Sequence, residues 1–217
     1  MNLQDTEKKE IPAEAVDTEK LREKLGILSR TSPWIIIPLD ITIATCLVLF
    51  GYYYREINVV KYFWVFFTGI FAWTLIEYMM HRFAFHFPAK SEKGKKAIWL
   101  VHGVHHDDPT HPDKLYQPPL TNMILIFLFW VSIYLMMGNY VYLFLPGIII
   151  GYLMYSSIHY IIHNFKPPFK WVKPLWRHHN MHHYRFEHKA FGVSSPLWDI
   201  IFGTLPPKNI TDGTDKE

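Results

Sequence analysis

Ten of the thirteen histidines in this chain of 217 residues fall into four short groups. They are His81 with His86, His102 with His105 and His106, His159 with His163, and His179 with His182 and His183. Imidazole suits iron, zinc, copper and nickel, so the pattern points first to metal chemistry. On an α-helix residues i and i+4 share a face, so His102 with His106, His159 with His163, and His179 with His183 can each grip one ion. In the two HxxHH groups the middle histidine, His105 or His182, projects about 100° away from its immediate neighbour and can serve a second ion. Three pincers, two crossing histidines and the pair His81 and His86 make ten ligands, enough for two metals with five imidazoles each.

Hydrolytic zinc sites keep an open position and usually carry a carboxylate nearby as general base. No carboxylate lies inside any of the four groups, although Asp107 and Asp108 follow the second. A histidine-rich metal pair beside apolar helices suits oxygen activation on a lipid instead, with the metals supplying the oxidant and the protein supplying placement and exclusion of water. The other three histidines read as supporting residues: His111 in a loop, His188 at the surface or behind a ligand, and His178 as a hydrogen-bonding neighbour of the ligands.

The elements that must hold these side chains are membrane spans. Hydrophobic residues make up 50% of the chain and charged residues 19%, where a globular domain carries about 25% charge. Mean hydropathy is only +0.03 because polar and apolar residues are segregated. Residues 1–33 and 208–217 form a polar N-terminal segment and a polar tail, and residues 34–207 form the membrane domain between them. Four apolar stretches are long enough to cross a hydrocarbon core, which takes roughly 20 helical residues. They run from Trp34 to Tyr53, Phe63 to Met80, Leu120 to Met137 and Val141 to Ile158. Only Gly138, Asn139 and Tyr140 separate the last two, which predicts a tight helical hairpin.

Lysine and arginine are retained on the cytoplasmic side. Segment by segment they number 6 before Trp34, 2 in the first loop, 6 in the long middle loop, none in the third loop and 8 after His159, a split of 20 against 2. Both termini, the middle loop and every histidine group are thereby predicted to be cytoplasmic. The fold class is all-α: an integral membrane four-helix bundle with a cytoplasmic His-rich dimetal cap. Asp40 and Glu77 fall inside spans, where a carboxylate is a functional-site candidate. The chain opens polar, without the pattern of a signal peptide, so insertion is expected to rely on an internal span. Cys46 has no partner for an intramolecular disulfide, and a net charge of +3 is too dispersed to suggest nucleic acid.

The runs Leu75–His86, His102–His106 and Gly192–Thr204 resemble the fatty acid hydroxylase superfamily, and within it the fatty acid 2-hydroxylases, or sphingolipid alpha-hydroxylases. The first box has four residues between its histidines, as in 2-hydroxylases, where sterol enzymes usually have three. The resemblance implies one metal on His81, His86, His102, His106 and His182, and another on His105, His159, His163, His179 and His183. Iron is the implied catalytic metal, with zinc possible as isolated. The implied reaction is hydroxylation of an acyl chain at C2, free or within a sphingolipid, using O2 and external electrons. Eukaryotic members often begin with a fused cytochrome b5 domain, for which Met1–Pro33 is too short. The resemblance therefore implies a separate donor such as cytochrome b5 or a ferredoxin-type protein. The expected location is a bacterial inner membrane or the endoplasmic reticulum, multi-pass. Sterol desaturase-like or carotenoid hydroxylase-like oxidation is the neighbouring alternative. A metal carrier or haem module is the non-enzymatic one, although haem-binding histidines would lie within the spans rather than at their ends.

Overall fold

The structure is a computed structural model and describes residues 32–207; all but the edge of the polar N-terminal segment, and all of the polar tail, lie outside the described residues. Its four long helices are α1 (Pro33–Tyr54), α2 (Phe63–Met79), α5 (Pro119–Met137) and α6 (Val141–Asn164). Between and after them come α3 (Glu92–Ile98), α4 (Val104–Asp107), α7 (Lys173–Tyr184) and α8 (Leu197–Ile201). No strand occurs among the described residues.

By length and composition three helical stretches could cross a membrane: Pro33–Tyr54, Phe63–Phe85 and Pro119–Asn164. The third is 46 residues long, about twice what a bilayer takes. A 3-10 turn at Gly138–Tyr140 divides it into α5 and α6, and Gly138 takes φ +58 with ψ −134, a backbone conformation suited to glycine. The two halves fold back on each other, since the Gln117 amide near the start of α5 donates to the Tyr152 hydroxyl late in α6. Leu135 and Met136 are 80% and 83% exposed, as side chains facing acyl tails would be.

Helix α6 is the central element, and the closest approach is its crossing with α2. A Cβ on Gly147 would collide with the Phe66 carbonyl, and one on Gly69 with the Phe144 carbonyl. One turn further on, a Cβ on Gly151 would meet the Trp73 side chain at 2.5 Å. Gly147-Ile-Ile-Ile-Gly151 is thus a small-xxx-small surface, which lets two helices approach in a medium that offers no hydrophobic driving force between them. Helix α1 packs on another side of α6 through Gly51 against Tyr142, and is tied to α5 by the buried bond from Asn122 Nδ2 to Asp40 Oδ1, 2.6 Å. Consequently the C-terminal ends of α2 and α6 lie together, beside the N-terminal ends of α1 and α5. All the histidine groups gather at this end.

Two stretches depart from α geometry. Helix α2 continues as a π-helix over Met80–Phe85, and another π-helix, Trp99–Gly103, joins α3 to α4. In the first, the His86 amide donates to the His81 carbonyl, an i to i+5 bond. That wider turn brings His86 onto the face of His81, which an α-helix would not do.

Gly147→Ala should destabilise the protein by about 1–3 kcal/mol, because the added methyl meets backbone that cannot yield. Met136→Ala should stay within about 0.5 kcal/mol. Thermal unfolding in one detergent checks both; equal stability of the two variants would show that the glycine crossing is not a close contact.

Candidate metal centre

The ten histidines assemble into two groups. His81, His86, His102, His106 and His182 form one, and His105, His159, His163, His179 and His183 form the other. Within each group the ligand nitrogens lie within 4.8 Å of one another, a geometry that could hold a metal ion. The two HxxHH motifs straddle the pair: His105 leaves its neighbours for the second group, and His182 leaves its neighbours for the first. The groups touch, with the His106 and His183 rings stacked at 4.2 Å.

Several Nε2 atoms face one another at short range. His81 and His102 are 3.1 Å apart, His102 and His106 3.0 Å, His105 and His183 3.2 Å, and His163 and His179 2.8 Å. Two nitrogens each about 2.0–2.1 Å from a shared cation stand roughly 2.9–3.4 Å apart for angles between 90° and tetrahedral. The spacings suit a common ion. Buried ring nitrogens without a hydrogen-bond partner point the same way: His86 Nε2, His182 Nε2 and both nitrogens of His159. An orphaned buried nitrogen is costly unless a cation supplies its partner.

Protonation favours the same role. Burial, then the charge of neighbouring histidines, pushes His86 down to about 4, His182 to about 3 and His105 to about 2. His102, His106, His179 and His183 are lowered as well, with burial the largest cause. Neutral imidazoles with available lone pairs therefore line both groups at pH 7.

Backbone carbonyls choose which nitrogen is left for a metal. His81 Nδ1 donates to the Phe191 carbonyl and His182 Nδ1 to the Lys189 carbonyl at 2.8 Å, leaving Nε2 of each ring unprotonated. The segment carrying these carbonyls is itself constrained. Ala190 between them is fully buried and holds φ +59, a left-handed conformation uncommon for a side-chain-bearing residue. Asp199 fixes it from one side by accepting the Phe191 and Gly192 amides at 2.9 and 2.8 Å, together with Thr204 Oγ1 at 2.6 Å and His178 Nε2 at 3.1 Å. Burial pushes the Asp199 carboxyl up, but these hydrogen bonds outweigh it and hold the group below its usual range. Glu77 fixes the other side by accepting the Val193 and Ser194 amides at 2.7 and 2.9 Å and the Ser194 hydroxyl.

Glu77 and Asp199 thus position the site through backbone. Asp199 bonds His178, which belongs to neither group. His111 accepts the Asp113 amide in a loop, and His188 is exposed. Asp107 accepts the Trp99 indole and Asp108 pairs with Lys114 at 2.9 Å, so no carboxylate enters either group. What sequence reasoning missed is the clamp on residues 189–194 and the two π turns. The run Gly192–Thr204 signalled the clamp only through resemblance, and nothing in the residue types signalled the π turns.

Two adjoining cavities open beside the histidines. One, of about 220 Å³, is lined by His102, His105 and His159 with a polar rim of Lys114, Gln117 and Thr121. The other, about 190 Å³, runs between the long helices along Ile76, Leu125, Phe129, Ile148 and Tyr152. Phe85, Leu115, Gln117 and Tyr155 line both, which makes them neighbours along one path.

Asp199→Asn replaces an acceptor-only group with one that turns N–H donors toward the Phe191 and Gly192 amides. The first group, whose His81 and His182 depend on this segment, should lose metal affinity by about 10–100-fold while the second is little changed. Chelator competition followed by elemental analysis reads this directly; an even loss from both groups, or none, contradicts the clamp.

Comparison with known proteins fits this arrangement. Residues 66–204 match the family model described as fatty acid hydroxylase. Over 139 residues the chain is 42% identical to the dihydroceramide fatty acyl 2-hydroxylase FAH1 of Arabidopsis thaliana, covering 64% of this chain and 59% of that protein. It is 37% identical to the ceramide very long chain fatty acid hydroxylase SCS7 of Saccharomyces cerevisiae, covering 64% of this chain and 37% of that one. It is 34% identical to the human fatty acid 2-hydroxylase, covering 66% and 40%. The chain therefore spans between about a third and three fifths of the length of these relatives. A solved structure described as full-length Scs7p, with only the hydroxylase domain visible, superposes with TM-score 0.76 at 29% identity over 84% of this chain and 70% of that one. With the family model matching well over half of its length, the chain belongs to the fatty acid hydroxylase family.

Proposed function

We propose that this protein is an integral membrane fatty acid 2-hydroxylase that uses two metal ions, O2 and two external electrons to hydroxylate C2 of an acyl chain, free or within a sphingolipid. The observation that carries the proposal is that the cavity lined by His102, His105 and His159, which come from both histidine groups, adjoins an apolar cavity between the long helices. Its similarity to proteins named as 2-hydroxylases supports the position attacked.

In this reading residues 34–207 form the catalytic domain, with four spans and the histidine cap on the cytoplasmic side. His81, His86, His102, His106 and His182 hold one ion, and His105, His159, His163, His179 and His183 hold the other. Iron bound there supplies the oxidising power to break an unactivated C–H bond with O2. The protein's own residues decide which bond. An acyl tail lies in the cavity along Leu125, Phe129 and Ile148, and its polar head stays at the rim of Lys114, Gln117 and Thr121. The carbons next to the carboxyl end then lie over His102, His105 and His159, which is why C2 reacts rather than a carbon further down the chain. Phe85 and Tyr155, lining the passage between the two cavities, exclude water. The balance is one C–H bond, one O2, two electrons and two protons giving one C–OH and one water, so an electron donor is required.

Expression in a host lacking 2-hydroxy lipids, under isotopically labelled O2, should yield 2-hydroxy fatty acids carrying one labelled oxygen by mass spectrometry. His179→Ala or His182→Ala should abolish the product while the protein still inserts. A new double bond or an oxidised sterol in place of the 2-hydroxy acid would refute the regiochemistry.

A further inference from the structure

The proposed reaction needs electrons delivered to two histidine groups in which six of the ten side chains are buried and the other four half-buried. Helix α7 separates them from solvent on one side. Its His179, His182 and His183 share the face turned to the ends of α2 and α6, whereas Lys173, Arg177, Asn180 and Tyr184 occupy a face turned roughly 120° away, with Trp176 at the boundary between the two. That second face, with Trp176, Lys170 and Arg185, lines a groove of about 510 Å³. Four cations line it and no carboxylate does. The wider segment from Phe165 to Phe186 carries five lysines and arginines and no acidic residue. The floor includes Met181, which is 3% exposed, and Asn180, the direct chain neighbour of the ligand His179.

We infer that this groove is the docking surface for an acidic one-electron carrier protein, which passes electrons across α7 to the metal pair; the inference rests on the oxygenase reading. Three features favour this partner. A one-sign cationic concavity attracts an acidic surface and speeds encounter. The path is short, because the groove and the ligands lie on two faces of a single helix about 10 Å across. The orientation also fits: the ligand face of α7 meets the ends of the long helices, so the groove is turned away from the apolar bundle and toward an approaching soluble protein.

The test uses the metal-loaded protein in nanodiscs and, as probe, the soluble haem domain of an acidic cytochrome b5. Binding is measured separately from lipid turnover. The parent should bind the probe with an affinity that falls as salt rises. Lys170→Glu with Lys173→Glu should weaken binding at least about tenfold and flatten the salt dependence, with metal content unchanged. Lys93→Glu, on α3 away from the groove, should bind like the parent. The same double variant should lose turnover supported by the probe but keep turnover supported by a small chemical reductant. Unchanged probe affinity in the double variant overturns the inference. So does loss of copurifying anionic lipid with unchanged probe affinity, which would make the groove a headgroup site. Weakened binding in a protein that never hydroxylates lipid with any reductant would uphold the docking surface and reject the oxygenase reading instead.

Discussion

Ten imidazoles, six of them buried, are gathered at one end of the bundle, and the architecture holds their nitrogens at spacings that a cation could share. Nitrogens about 3 Å apart repel when each presents a lone pair, and orphaned nitrogens such as both of His159 carry a desolvation cost. Meeting this cost takes rigidity, since a ring that could rotate would withdraw its nitrogen. Rigidity comes from the helix ends and from one segment of backbone. Glu77 and Asp199 grip residues 191–194, Ala190 holds a strained conformation beside them, and the Lys189 and Phe191 carbonyls fix the tautomers of His182 and His81. Carboxylates that never approach a ligand nitrogen thus govern which nitrogen is presented.

The proposed reaction also requires that a lipid reach the same end of the molecule. The glycine crossing of α2 and α6 draws two ligand-bearing helix ends together, and α1 and α5 pack around it with a cavity left between. Close packing at Gly69 and Gly147 and open space near Leu125 and Ile148 divide one bundle into a scaffold and a slot. The histidine cap then closes the slot at its polar end.

Much of this was legible in the sequence. The histidine spacings foretold pincers because i and i+4 share a helical face, and the apolar runs foretold the long helices closely, except that α6 runs past Ile158 to Asn164. The crossing roles of His105 and His182 follow from the same geometry. Less legible was the pairing of His81 with His86, since five residues put two side chains on different faces of an α-helix and only the π turn reunites them. The role of Glu77 was not legible, because its partners, Val193 and Ser194, lie 116 and 117 residues away. The Gly147–Gly151 spacing was visible but carries meaning only once a facing helix is known. The apolar slot, a space bounded by four helices, has no local signature at all.

The central claim is that each group of five histidines is one metal site. The most direct measurement is elemental analysis of protein purified without chelators, joined to X-ray absorption at the edge of the metal found. The account predicts two ions per chain, with a first shell dominated by imidazole nitrogen at about 2.0–2.1 Å for zinc and slightly longer for iron. One ion per chain, or a first shell dominated by carboxylate oxygen or sulfur, would contradict it.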